Sequence, residues 1–262
     1  DLFFVSGHNQ QYNDGDEMAI MMQLHNRGTG DISRGHLFVQ GYDPQIFPNL
    51  HFEDTSIINI EGKDQYDPNG EIAHFKHLVE PSVKAPRFKE ILPQQFNIVA
   101  CYEYNTIAAF EVCIDPDPYE KKITNKICTF RDVSSGAQGH PVAVTRVEEV
   151  VNSRDVRFNL EISNVGGGRV YDPSVRPEVC ANDLDRRDIG LVNILQVEYS
   201  GNTLSCEPTN PIRLVNGQRA TVSCVCENCV NIDQGAYMTV LNVELEYGYR
   251  NSYQTQVTVV GN

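Results

Sequence analysis

The amino-acid sequence predicts an all-β protein built from two tandem immunoglobulin-like β-sandwich domains. Apolar and polar residues alternate over stretches of five to nine residues, as in half-buried strands. Glycine, asparagine and proline separate these stretches, and almost no segment has the periodicity of an amphipathic helix. Two segments also recur in the same order along the chain, which indicates a duplicated domain.

The duplication is clearest in Val99–Asp115 (VACYEYNTIAAFEVCID), which resembles Glu244–Val260 (ELEYGYRNSYQTQVTVV). Upstream, Ile20–Gly30 (IMMQLHNRGTG) matches Phe158–Gly168 (FNLEISNVGGG), so both copies carry an N-x-G-x-G motif after an alternating strand. In the first pair of segments, two alternating runs flank a short polar stretch. This pattern predicts a β-hairpin in each copy.

The first domain is expected to span residues 1–132, with an insertion at about 44–93 that the second copy lacks in this form. Residues 86–92 of the insertion fit either a helical turn or a strand. The strands predicted before the hairpin are Leu2–Val5, Met18–Leu24, His36–Val39, Thr55–Ile60 and Ala73–Val79.

The second domain is expected at 141–262, after a linker of small residues at 133–140 (VSSGAQGH). Alternating valines open this domain at Val142, and Leu191–Tyr199 is a later strand. Asn216-Gly217 lies between two apolar runs and predicts a type I′ hairpin turn. Since the chain has no tryptophan, both cores must consist of Val, Ile, Leu, Phe and Tyr.

The composition of the 262 residues is that of a folded, acidic protein, with 40% hydrophobic residues and a formal net charge of −14. This charge argues against nucleic acid and anionic lipid as partners, because both are bound by clustered Lys and Arg. No apolar run approaches the roughly 20 residues that span a bilayer. The sequence opens at Asp1 and not at methionine, which fits a mature chain after removal of an N-terminal segment.

Eight cysteines favour disulfides and an extracellular setting. Three precede the predicted linker and five follow it, so complete pairing requires a bond between the two halves or between two chains. Cys113–Cys128 and Cys206–Cys224 are candidate pairs, and a zinc or iron–sulfur site around Cys224, Cys226 and Cys229 is the alternative. The eight are Cys101, Cys113, Cys128, Cys180, Cys206, Cys224, Cys226 and Cys229.

Several phrases of the sequence resemble known proteins. The N-x-G-x-G pattern is similar to adhesion-type immunoglobulin-like domains of prokaryotic surface proteins. ACYEYNT…EVCIDPDPY, GAQGHPVAVTRVE and LEYGYRNSYQTQVTV resemble uncharacterised secreted proteins of small-genome archaea, in which a Cys-rich tandem immunoglobulin-like region follows a membrane segment. The resemblance implies an archaeal cell-surface location and a role in surface structure or adhesion. It implies no catalytic residues.

Three loops combine several oxygen ligands, and the one near the linker is the calcium candidate, with Asp115, Asp117 and Glu120 as its ligands. The other two contain Asp14, Asp16 and Glu17, and Asp67, Asn69 and Glu71. None has the spacing of an EF-hand, so solvated turn carboxylates are the competing interpretation. Apart from calcium, no cofactor is expected.

An enzyme is not expected, because the chain has no G-x-S-x-G motif and no glycine-rich loop that leads into a helix. His74 and His77 would share a face of a helix and could then bind a metal. In the predicted strand they point to opposite faces, and surface histidines are the simpler interpretation.

The leading functional hypothesis is an extracellular structural subunit that self-assembles into a pilus-like filament, sheath or surface layer. A terminal strand of one copy would pair with an exposed edge of the next. The candidate strands are Leu2, Phe3, Phe4 and Val5 at one end and Gln254–Val260, with Val257 and Val259, at the other.

The alternative is a monomeric surface adhesin or binding ectodomain. Its ligand would lie on the insertion, where aromatic residues would form the binding surface. The competing interpretation is that these aromatic residues cover the sheet as an extra core layer. These residues are Tyr42, Phe47, Phe52, Tyr66 and Phe75.

Overall fold

The computed structural model describes residues 2–4, 11–48, 50, 56–79, 83–85, 91–117, 126–129, 131–135, 139–151, 154–181, 184–230 and 235–261. The described residues are all-β, as predicted, and their one helical turn is the 3₁₀ helix Pro177–Val179. The early strands are β1 (Leu2–Phe4), β2 (Gln11–Asn13), β3 (Met18–His25), β4 (Ile32–Gln40), β5 (Ser56–Ile60), β6 (Ile72–Val79), β7 (Ile91–Ile114), β8 (Val133–Ser134) and β9 (Val142–Val151). The later strands are β10 (Val156–Asn164), β11 (Arg169–Tyr171), β12 (Leu191–Tyr199), β13 (Asn202–Thr203), β14 (Ser205–Glu207), β15 (Ile212–Arg213), β16 (Arg219–Cys226) and β17 (Tyr237–Val260).

The strands form three sheets. One has the order β1-β3-β6, and a second has the order β14-β16-β10-β9-β8. The third contains nine strands, with β13-β12-β17-β7-β4-β5 as its main path and β2, β11 and β15 paired at its sides. Several antiparallel sheets with buried inner faces are consistent with a β-sandwich.

The chain divides into two compact units. Unit 1 consists of Asp1–Glu103, Arg176–Leu184 and Tyr249–Asn262, and unit 2 consists of Tyr104–Val175 and Asp185–Gly248. These units differ from the sequential ranges 1–132 and 141–262 expected from the sequence. The difference arises because β7 and β17 each begin in one unit and end in the other.

Each unit has its own buried core, and the end of a long strand contributes to it. In unit 1, Val257 and Val259 from the end of β17 join Ile20, Met22, Leu37 and Phe96, all at most 3% exposed. In unit 2, Phe110 and Val112 from the end of β7 are buried, as are Val144, Phe158, Leu160 and Val222. Neither core therefore consists of one continuous half of the chain.

The hairpins predicted within Val99–Asp115 and Glu244–Val260 are wrong. Residues 99–114 lie inside β7 and residues 244–260 lie inside β17, and each of these is a single strand of 24 residues. Neither Asn105 nor Asn251 has the positive φ that a tight primed turn requires. Alternation of buried and exposed residues instead continues through Asn105 along β7, so the chain has no reason to reverse there.

The N-x-G-x-G motif forms the same hydrogen bonds in both copies. The Asn26 side-chain amide donates to the Gly30 carbonyl at 2.8 Å, and the Asn164 amide donates to the Gly168 carbonyl at 2.9 Å. In return, each asparagine Oδ1 accepts the N–H of the first glycine of its motif, at 3.1 and 3.4 Å. The repeat in the sequence therefore corresponds to a repeated local structure.

The predicted Asn216-Gly217 turn is present. Asn216 and Gly217 have φ of 52° and 70°, and the Gln218 N–H donates to the Val215 carbonyl at 3.0 Å, as in a type I′ turn. The first two residues of the predicted linker, Val133 and Ser134, instead form β8, because they pair with β9 opposite Val147 and Arg146.

Gly248 explains a difference between the two long strands. A Cβ on Gly248 would lie 2.1 Å from Cε2 of Tyr171, whose ring is buried against it. The first copy has Glu103 in the corresponding position of its Tyr-x-Tyr motif, where the side chain pairs with Arg34 at 3.4 Å. Packing of the Tyr171 ring therefore requires glycine in the second copy.

We predict that Gly248→Ala destabilises the protein by about 1–3 kcal/mol, since the added methyl group must displace the Tyr171 ring or the strand. Urea unfolding followed by far-UV circular dichroism measures the effect. Gly235→Ala is the control, because nothing lies within 4 Å of its Cβ position. Equal unfolding midpoints for the two variants would contradict this account of Gly248.

Candidate functional site

Both strands predicted to mediate assembly are paired within the chain. Leu2, Phe3 and Phe4 form β1, which pairs with β3 in the register Leu2↔Leu24, Phe3↔Gln23 and Phe4↔Met22. Val5 lies outside the described residues. At the other end, β17 pairs in parallel with β2, and Val257 and Val259 are 3% and 0% exposed. Assembly through either strand would thus require exchange of an internal pairing.

All eight cysteines are paired, in four disulfides. Cys113–Cys128 and Cys206–Cys224 are the two pairs favoured by the sequence analysis. Cys101–Cys180 joins the two halves of the sequence, so the odd cysteine count in each half does not require a bond between chains. Four disulfides fit a secreted or extracellular protein.

The cysteine-rich motif around Cys224 is part of this disulfide framework. Cys224 lies directly opposite Cys206 in the β14–β16 pairing, with a Cα–Cα distance of 4.0 Å. Cys226 pairs with Cys229 across the turn that follows β16. Both C-x-C cysteines are oxidised, so the motif has no thiolate to offer a zinc or iron–sulfur site.

At the predicted calcium site, the first ligand, Asp115, is paired with the ammonium group of a lysine of the same chain. The Lys126 Nζ lies 2.6 Å from Asp115 Oδ2 and also donates to the Asp117 carbonyl. Asp115 Oδ1 accepts the Asp117 N–H at 3.1 Å. Glu120 lies outside the described residues. Calcium at Asp115, Asp117 and Glu120 stays a prediction, and the ion would have to displace the Lys126 ammonium.

The other two oxygen-rich loops use their carboxylates to hold the backbone. Asp16 Oδ2 accepts the Asn13 N–H at 2.6 Å, and Asp14 Oδ1 accepts the Ala85 N–H at 2.8 Å. In the second loop, Asp67 Oδ1 accepts the N–H groups of Asn69 and Gly70. These contacts are those of turn carboxylates, the competing interpretation from the sequence.

Glu149 is a buried acid that the sequence analysis did not single out. Its side chain on β9 is 5% exposed, and its Oε2 accepts the Cys113 N–H at 3.3 Å. Oε1 is buried without a hydrogen-bond partner. Burial, and secondarily the Asp115 charge, raise the Glu149 pKa to about 7.

A small cavity of about 210 Å³ lies beside the Cys113–Cys128 disulfide. Its lining includes the disulfide-bonded Cys113 and Cys128, together with Glu111, Arg131 and Met238. The cavity therefore lies directly against this disulfide.

The aromatic residues near the insertion divide between core and surface. Phe47 is 1% exposed, and its ring centroid lies 5.3 Å from that of Phe96. Tyr42 stacks on Phe96, and its hydroxyl donates to the Leu50 carbonyl at 2.9 Å. Tyr66 is 85% exposed, Phe75 is half-buried, and Phe52 lies outside the described residues. Tyr42 and Phe47 thus belong to a core layer.

The predicted histidine pair also has a structural explanation. His74 lies on β6, and its Nδ1 lies 3.2 Å from the Gln23 amide on β3. The side chain of His77 is not among those described. Within the described part of the chain, no group of three or more His, Cys, Asp or Glu side chains is placed to hold a metal ion.

No protein-family model matches the chain, and no curated protein matches it. A search of the described residues finds no helix with the length and apolar character needed to cross a bilayer.

We predict that Glu149 makes stability fall as the pH rises from about 4.5 to about 7. Its pKa is raised in the folded state, so the folded protein binds more protons than the unfolded chain in this interval. Glu149→Gln removes this titration. Between pH 5 and pH 8, this group should lower the urea unfolding midpoint of the wild type only. The fall should therefore be smaller in Glu149→Gln than in the wild type. An unchanged pH dependence in the variant would show that Glu149 titrates normally.

Proposed function

We propose that this chain is an extracellular structural subunit that assembles with copies of itself into a filament, sheath or surface layer. We further propose that the two compact units are immunoglobulin-like sandwiches on an archaeal cell surface, as the sequence resemblance implies. The four disulfides support a subunit that must persist outside the cell. The net charge of −14 keeps the unassembled chain soluble.

The observation that carries the proposal is the pairing of β1. This three-residue strand forms one edge of the β1-β3-β6 sheet, and β3 pairs with β6 along its whole length on the other side. The inward residues of β3 are deeply buried, with Ile20, Met22 and Leu24 at most 1% exposed. The edge of β3 is therefore a template, paired and buried on its other sides, that a short terminal segment completes.

Strand exchange at this edge is energetically inexpensive. Only three residue pairs hold β1 on β3, so releasing β1 requires far less free energy than unfolding the whole unit. A second copy of β1 would form the same three pairs on β3, so the concentration of the protein decides which copy is bound. If each copy donates β1 and accepts one in return from a different neighbour, the contact does not close and a fibre grows.

The C-terminal strand is less suited to exchange. Val257 and Val259 are part of the core of unit 1, and the same strand continues into unit 2. Its removal would expose a buried apolar surface and interrupt the nine-stranded sheet. Of the two terminal strands, β1 is therefore the one we propose to be donated.

The second candidate function is that of a monomeric adhesin, and the exposed Tyr66 favours it. Tyr66 lies on a turn that Asp64 fixes by accepting the N–H groups of Tyr66 and Asp67. A tyrosine held on a rigid turn with 85% exposure provides contact area at a low entropic cost. In this case the chain would stay monomeric at every concentration.

A cysteine pair across β1 and β3 tests the exchange. Phe3 and Gln23 are opposite each other, so Phe3→Cys with Gln23→Cys places two thiols at bonding distance whether β1 comes from the same chain or from a neighbour. At high protein concentration and under mild oxidation, we expect covalent multimers on non-reducing gels, because exchanged β1 strands become linked to the neighbouring chain.

The matched control is Gln23→Cys with His74→Cys, which links β3 to β6 within one chain. This control should form only monomers that carry an internal crosslink. If Phe3→Cys with Gln23→Cys also gives only monomers at the concentrations at which wild type assembles, β1 exchange is wrong. If wild type itself stays monomeric at all concentrations, the self-assembly proposal is wrong and the adhesin is favoured.

A further inference from the structure

One sheet of unit 2 has exposed apolar side chains on its solvent side. The strands β12, β17 and β7 are neighbours in this sheet, and their residues alternate between buried and exposed positions. We call the exposed side of these three strands within unit 2 the outer face. Apolar residues that are gathered on one surface among polar groups are typical of interaction sites. Those of the outer face, between 44% and 68% exposed, are Ile107, Leu195, Met238 and Val240.

Strand pairing places these residues on the same side of the sheet. Thr106 Oγ1 lies 2.9 Å from the hydroxyl of Tyr247, and both residues are buried, so Ile107 points to the solvent side of β7. Tyr247 is on the buried row of β17, and the exposed alternate residues of 238–242 are therefore on the outer face. Leu195 lies at the register shift between β12 and β17, and its side chain is 49% exposed.

Four carboxylates surround the apolar residues of the outer face. Glu111 is on the exposed row of β7, and the other three are on β12 and β17. Each of these three is opposite an amide and not opposite a cation, in the pairs Glu246 with Asn193, Glu244 with Gln196, and Glu198 with Asn242. Exposed sheets are commonly stabilised by pairs of opposite charge in such positions. The outer face instead presents only negative charge.

The cations of the chain do not neutralise these carboxylates. Within unit 2, the outward positions of β7, β12 and β17, all of them described, contain no Lys or Arg. Two arginines border the outer face: Arg131 lines the cavity beside Glu111, and Arg213 is opposite the first residue of β12. The Arg213 guanidinium donates to two backbone carbonyl groups. None of the four carboxylates forms an ion pair with a described residue.

We propose that the outer face binds a partner protein whose contact surface has apolar side chains bordered by Lys and Arg. The inference is independent of the assembly proposal. The exposed apolar side chains of the outer face would be removed from water in the complex, which supplies affinity. The four carboxylates would pair with the cations of the partner, and such charge complementarity provides specificity and speeds association.

A second copy of the chain is a poor occupant of the outer face. Two outer faces in contact would place carboxylates against carboxylates, and like charges across an interface oppose association. The chain as a whole is also acidic, with a formal net charge of −14. The same charge disfavours nucleic acid and anionic lipid. A basic protein surface is therefore the occupant that the charges favour.

Methyl NMR of the intact, oxidised protein, labelled at Ile, Leu, Val and Met, tests the proposal. The probe is the peptide Lys-Leu-Leu-Lys-Leu-Leu-Lys, which when extended presents Lys, Leu, Leu and Lys on one side. We expect the peptide to shift the methyl signals of the four apolar residues of the outer face. Three valines elsewhere, which are 41–65% exposed, should keep their signals: Val150, Val165 and Val215.

Two further peptides separate the apolar from the charged contribution. Lys-Ser-Ser-Lys-Ser-Ser-Lys has the same charge without apolar side chains, and Glu-Leu-Leu-Glu-Leu-Leu-Glu has the opposite charge. Both should bind more weakly than the probe, because each lacks one of the two features that the outer face recognises. Higher salt concentration should weaken binding of the probe, since the charges of an exposed surface are screened.

A matched pair of double variants tests the role of the carboxylates. Glu244→Gln with Glu246→Gln keeps the size of both side chains and should weaken binding of the probe about fivefold. The control, Glu207→Gln with Glu227→Gln, removes the same charge from two exposed side chains outside the outer face and should change the affinity less than about twofold.

Three results would overturn the proposal. The first is equal affinity of the probe for wild type and for Glu244→Gln with Glu246→Gln. The second is the absence of shifts on the outer face, or equal shifts at the three control valines. The third is a shift of the outer-face signals when the protein alone is concentrated, because a second copy would then cover this surface.

Discussion

The sharing of two long strands is the constraint on which the rest of the structure depends. β7 and β17 each run for 24 residues, and each supplies residues to both compact units. Unit 1 depends on Val257 and Val259 from the end of β17, and unit 2 depends on Phe110 and Val112 from the end of β7. Each core is therefore completed by the last strand of the other repeat.

This sharing also explains the disulfide between the two halves of the sequence. The segment 176–184 lies between strands of unit 2 in the sequence but belongs to unit 1, where Cys180 is bonded to Cys101 of β7. Arg34 forms two contacts with Glu178 of the same segment, at 2.9 and 3.1 Å. Both of these side chains are more than 40% exposed, so the disulfide contributes more than the ion pair.

Much of the local structure could be predicted, because it depends on residues close together in the sequence. Alternation located most strands, and Asn216-Gly217 and the two N-x-G-x-G motifs specified their turns and loops. The long strands could not be predicted, since a hairpin and a continuous strand have the same alternation on either side of a polar residue such as Asn105. The requirement for glycine at position 248 could not be predicted either, because it comes from the ring of Tyr171, which is far away in the sequence.

The candidate site was only partly predictable. Counting oxygen ligands identified Asp115 and Asp117 but not the lysine that contacts them, because Lys126 lies eleven residues after Asp115, on the other side of the loop closed by the Cys113–Cys128 disulfide. Glu149 could have been found, since it occupies the inward position after Val147 in the alternation of β9. An acid in an apolar row is a signal of unusual protonation.

Differential scanning calorimetry of the intact chain tests the strand-sharing account most directly. Since neither core is complete without a strand end from the other repeat, the two units should unfold in one transition, with a calorimetric enthalpy close to the van't Hoff enthalpy. Two resolved transitions, or a calorimetric enthalpy near twice the van't Hoff value, would show that each unit folds without the other and would contradict the account.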